Sequence, residues 1–186
     1  MIRRVRFISA IACVLTWSPA NADIIHFPEQ NLVLSLYDRA DLNFNGDLPE
    51  FFIEWHDHFP GITLQIGTPG SGVENHVSTN EDGLVAATMQ GILISDALQF
   101  GAAGFRNDLF LPSTPLVMIG VCPGPNCPIP PSVGPWARAT NRFLAVRFHS
   151  DQGEHFGWIR GSDTTSDVHG LEFTIHDWAY ETIPGK

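Results

Sequence analysis

The stretch Asp41-Leu-Asn43-Phe-Asn45-Gly46-Asp47-Leu-Pro49-Glu50 holds the residues whose types and spacing best suit chemistry. Alternating Asp and Asn side chains in a glycine-containing turn aim several hard oxygens at one centre, as Ca²⁺ requires. Asp41, Asn43, Asn45 and Gly46 match the first half of an EF-hand loop, and Asp47 and Glu50 supply further oxygens. The match ends there. Phe52 stands where the loop's closing glutamate belongs, and the segment runs into strand-like sequence instead of a helix. The same residues also suit an Asx-rich β-turn that needs no metal. Ca²⁺ held by Asp41, Asn43, Asn45, Asp47 and Glu50 is one expectation, and a self-sufficient turn is the other.

Glu54, His56 and His58 alternate along one face of a strand. Two histidines at that spacing bind Zn²⁺ or Cu²⁺ when a third ligand approaches, but solvent-facing strands show the same pattern without metal. His149, His155, His169 and His176 are scattered, and no H-E-x-x-H occurs. Nor is there a G-x-S-x-G elbow. The acidic residues Asp151, Glu154, Asp163 and Asp167 fall in turn-like sequence. The expectation is a protein without catalysis. Trp55, Trp136, Trp158 and Trp178 make carbohydrate binding an alternative. Three of them lie in strand-like sequence, where core packing is the default. Trp136 alone sits in loop-like sequence.

The elements that must position these residues are strands. Period-two alternation and short β-rich runs broken by Gly, Pro, Asn and Asp replace any long helical spacing. Strands are expected at Leu32–Tyr37, Glu50–Phe59, Ile62–Ile66, Leu84–Met89, Ile92–Ser95, Leu116–Val121, Arg142–His149, His155–Arg160 and Leu171–Tyr180. So many short strands suggest a single-domain, jelly-roll-like β-sandwich of two antiparallel sheets. Alternation turns Phe51, Ile53, Trp55 and Phe59 inward, then Leu144, Val146 and Phe148, then Leu171, Phe173 and Ile175. Phe156 shares a face with Trp158, and Trp178 with Tyr180, and these four aromatics are expected to supply much of the apolar burial.

Arg3, Arg4 and Arg6, the apolar run Phe7–Leu15 and the closing Ala20-Asn21-Ala22 have the pattern of a cleaved export signal. The run is far short of the ~20 residues of a membrane-spanning helix. Residues 1–22 are thus read as a signal peptide and 23–186 as the mature domain. Loss of the leader leaves seven basic against twenty acidic residues, a formal charge of −13. Such acidity opposes binding to nucleic acid and to anionic membranes. An oxidising compartment favours a disulfide between Cys122 and Cys127. Both lie in residues 112–135, which hold eight of the fourteen prolines and read as a pinned surface loop.

Phe143-Leu-Ala-Val-Arg147-Phe148, Glu154-His-Phe-Gly157-Trp158-Ile159 and Asp177-Trp178-Ala-Tyr180-Glu181-Thr-Ile-Pro184-Gly185 occur in that order. This resembles a group of exported, mostly uncharacterised bacterial proteins that often carry a PEP-CTERM surface-sorting tail. In that group a "YLGVRF" strand precedes a "HYGW" strand and a closing "DWAYET-PG" strand. Asn43–Phe51 resembles the group's early "DLNGDGTPDF" turn, shortened by one residue. The sequence stops at Lys186, where relatives continue into the tail, so no membrane anchor is expected. The resemblance implies an exported β-rich module of the cell surface, periplasm or extracellular matrix, with a surface glycan or matrix protein as partner. It supplies no active site. A carbohydrate-binding module is the first alternative and a secreted hydrolase the second.

Overall fold

A computed structural model describes residues 23–46, 48–58, 61–68, 75–79, 85–95, 97–98, 100–102, 116–121, 132–165 and 170–185. The leader, Asp47, Cys122 and Cys127, and with the cysteines most of the Pro-rich segment, lie outside the described residues. Twelve strands are described: β1 (Ile24–Phe27), β2 (Leu32–Ser35), β3 (Arg39–Leu42), β4 (Phe51–His58), β5 (Gly61–Gly67), β6 (His76–Ser78), β7 (Phe100–Ala102), β8 (Leu116–Val121), β9 (Ser132–Val133), β10 (Arg142–Ser150), β11 (Gly153–Asp163) and β12 (Glu172–Glu181). They form an all-β, antiparallel sandwich. The larger sheet has seven strands: β1 and β2 lie along the same side of β12, followed by β11, β10, β6 and β7. The smaller sheet runs β3-β4-β5-β8-β9.

The two inner faces share one core. Leu42, Phe51, Ile53, Trp55, Leu64, Ile66 and Ile119 meet Leu144, Val146, Phe148, Ile159, Phe173, Ile175 and Trp178. The alternation read from β4, β10 and β12 therefore gave the correct inward residues, apart from Phe59, which lies outside the described residues. It misplaced β11. Phe156 and Trp158 point out of the sandwich, while Ile159 on the opposite face enters the core. Phe156 is buried against Phe100 outside the core, ring centres 6.1 Å apart.

The expected strands at Leu84–Met89 and Ile92–Ser95 are absent among the described residues. Val85 and Thr88 make only isolated bridges, to Thr79 and Phe143. A turn at Gln90–Gly91 follows, with Gly91 at φ 91°. The chain then runs as a strap beside the outer face of the larger sheet, its Met89, Ile92 and Leu93 side chains exposed, with Ile92 and Ile94 lining clefts together with Trp158. Trp136 does lie outside the strands, as expected. It is fully buried in the turn after β9 and meets Phe173 edge-on, ring centres 5.6 Å apart.

One irregularity positions the outer face. Arg160 pairs with Asp177 and Gly161 with Ile175, leaving His176 unopposed in a β-bulge. Phe173 and Ile175 face the core before the bulge, and Trp178 and Tyr180 face it afterwards. An extra residue reverses the parity of a strand, so His176 and Asp177 both point outward. Gly161 beside the bulge lies beneath the Phe173 ring, where an added Cβ would come within 2.5 Å of ring carbon.

Candidate functional site

The Asp/Asn turn between β3 and β4 closes through its own atoms. Asn43 Oδ1 accepts the Gly46 N–H at 2.6 Å, and Glu50 Oε2 accepts the Phe44 N–H at 2.7 Å. Glu50 is only 6 % exposed, and its carbonyl accepts from Asn75 Nδ2 at 2.9 Å. Asp41 turns away to an ion pair with Arg39 at 2.7 Å, and Asn45 lines a neighbouring cleft. Four of the five expected calcium ligands are thus placed, and the fifth, Asp47, lies outside the described residues. Glu54 faces Arg39 at 3.8 Å, while His56 is exposed. Among the described residues no three His, Cys, Asp or Glu side chains gather as a metal would require.

Two Ser–His pairs occur among the described residues. The His155 Nδ1–H donates to the Glu181 carbonyl at 2.9 Å, which leaves Nε2 to accept from Ser150 Oγ, also at 2.9 Å. His176 is arranged in the same way between Asn31 Oδ1 at 3.2 Å and Ser162 Oγ at 2.8 Å. Ser150 opens onto a cleft of about 340 Å³ with Asn45 and Tyr180. Its oxygen, however, already caps the β10–β11 turn by accepting the Gln152 N–H at 3.0 Å. His155 is 3 % exposed, stacked on Phe148 and edge-on to Tyr180. Ser162 Oγ likewise accepts the Asn141 N–H at 2.9 Å. Both pairs brace turns and edges of the larger sheet. Burial and the Arg160 charge lower the His176 pKa against a smaller opposing pull from Asp177.

The arrangement best suited to a ligand is on the outer face of the larger sheet. Trp158 on β11 is half-buried there, flanked by His26 on β1 at 5.5 Å and by Phe143 on β10, edge-on, at 5.3 Å. Arg160, two residues along the same face, forks onto Asp177: Nε donates to Oδ1 at 2.8 Å and Nη2 to Oδ2 at 2.7 Å. His26 Nε2 reaches the same Oδ2 at 3.2 Å. The hydrogen bonds from Arg160 to Asp177 raise the Arg160 pKa above its ordinary value, against a smaller lowering by burial. Thr88 and the strap residues Met89–Ile92 and Ile94 close a cleft of about 390 Å³ over Trp158, Arg160 and Asp177. A second cleft of about 250 Å³ adjoins it across Ile92, Ile94 and Trp158, and is lined by Ile24, Phe156 and Glu181.

None of these residues was among those singled out from sequence as metal ligands. Trp158 was weighed with the other tryptophans and assigned to the core. A signal for Asp177 was nevertheless present. Apolar positions in the last strand pass from 173 and 175 to 178 and 180, which demands an extra residue and two adjacent outward side chains. Comparison with protein-family models, curated proteins and solved structures finds no match to this chain.

Proposed function

We propose that the protein is an exported binding module that holds carbohydrate on the outer face of its larger sheet, at Trp158. The tripartite leader supports export. The carrying observation is the join of an accessible indole to a fixed Arg160–Asp177–His26 cluster in one cleft. Sugar rings present an apolar C–H face and an equatorial rim of hydroxyls. An indole covers the former, and a preset polar cluster exchanges hydrogen bonds with the latter. The cluster needs no reorganisation on binding, because the ion pair already fixes the guanidinium plane.

Titration of a glycan panel by calorimetry tests this. Saturable binding to wild-type protein, weakened at least about tenfold in a Trp158→Ala variant that remains folded, is the expected result. Equal affinity in the variant would remove Trp158 as the platform.

A further inference from the structure

The charge balance of the Trp158 cleft selects among sugars, an inference that rests on the carbohydrate reading above. Asp177 has a side chain only 7 % exposed, and both of its oxygens are engaged by Arg160. The positive charge of Arg160 is therefore cancelled at contact distance. Its side chain is still 35 % exposed, and the N–H groups not used by Asp177 can meet a ligand in the cleft. A carboxylate entering here would compete with Asp177 for a guanidinium already held in fork geometry. It would also meet the uncompensated charge of Asp177 left behind.

The adjoining cleft repeats the preference. Glu181 lines it, with Oε1 fixed by the Ile183 N–H at 3.0 Å. No basic residue lines that second cleft among the described residues, and the whole chain carries a formal charge of −10. Hydroxyl groups escape these penalties, because they both accept from Arg160 and donate to carboxylate lone pairs. We infer that the site takes neutral oligosaccharides and discriminates against those bearing uronic acids. Trp158 borders both clefts, with the Ile92–Ile94 strap between them, so the chain is gripped on either side of the indole.

The test titrates the mature protein with hexamers of glucose, mannose and xylose, and with hexamers of galacturonate and glucuronate, at low and high salt. At least one neutral hexamer should bind at least about tenfold more tightly than either acidic one at low salt. That gap should narrow as salt screens the repulsion. Asp177→Asn removes the cancelling charge and should raise affinity for the acidic hexamers, a gain that damage to the fold would not produce. Acidic hexamers binding wild-type protein as tightly as neutral ones would overturn the inference and leave the carbohydrate reading standing. An Asp177→Asn variant that folds without gaining acidic affinity would also overturn it. Absence of binding by any hexamer would remove the carbohydrate reading itself, and the inference with it.

Discussion

Glu50 and Asp177 are both buried carboxylates, satisfied by opposite means, and they respond differently to substitution. Glu50 accepts a backbone N–H, so Glu50→Ala strands the Phe44 donor in the β3–β4 turn. The cost should be about 1–3 kcal/mol, read as a lower midpoint in denaturant unfolding. Asp177 instead neutralises a guanidinium that is partly exposed, and Asp177→Ala should cost less, about 1–2 kcal/mol after solvent screening. Closure of the Asp/Asn turn by its own N–H groups predicts the same melting temperature in EDTA and in millimolar Ca²⁺. A calcium-ordered turn would instead raise it, and Asp47→Ala would abolish the rise. His176 carries a pH dependence. Its pKa is lowered in the fold by burial and by Arg160, so the unfolded chain binds the proton more readily. Stability from this residue is present above the ordinary pKa of about 6.5 and is lost as pH falls below it. His176→Gln should flatten the melting-temperature profile between about pH 7.5 and pH 5. An undiminished slope would assign that dependence elsewhere.

At the scale of elements, alternation identifies two faces but does not say which one meets the core. In β4, β10 and β12 a run of apolar residues against polar ones settled the choice. In β11 both faces carry large apolar groups: Phe156, packed against Phe100 on the outer side, is buried almost as fully as Ile159 is in the core. That is why Trp158 looked like core from sequence. The strap explains the two strands expected at 84–95. Its apolar residues line clefts beside the outer face of the sheet, and periodicity cannot distinguish lying beside a sheet from belonging to one. The bulge in β12 is the element on which the cleft depends. Gly161→Ala would drive a methyl group into the Phe173 ring and disturb the Arg160–Asp177 register. A loss of about 1–3 kcal/mol is expected from overpacking, together with weaker ligand binding. A variant of unchanged stability and affinity would show that the bulge tolerates displacement.

For the whole molecule, the sandwich was legible because strand number, turn residues and chain length all pointed to it. The cleft was not. His26, Trp158, Arg160 and Asp177 come from three strands, and His26 stands 151 positions from the carboxylate it touches. No local motif encodes that meeting. It follows from β1 and β11 flanking β12, a fact of sheet order and not of spacing. On the proposed reading the molecule separates stability from recognition: one core lies between the sheets, and the cleft occupies the outer face beside the strap. Indole N–H resonances read this division directly. Trp55 Nε1 donates to the Leu34 carbonyl and Trp178 Nε1 to the Asn43 carbonyl, while Trp136 is fully buried. In the ¹⁵N-labelled protein titrated with a neutral hexasaccharide, the Trp158 signal, assigned by its loss in Trp158→Phe, should shift saturably while those of Trp55, Trp136 and Trp178 stay in place. A stationary Trp158 signal at saturating sugar, or a shift confined to the buried tryptophans, would contradict binding at this cleft.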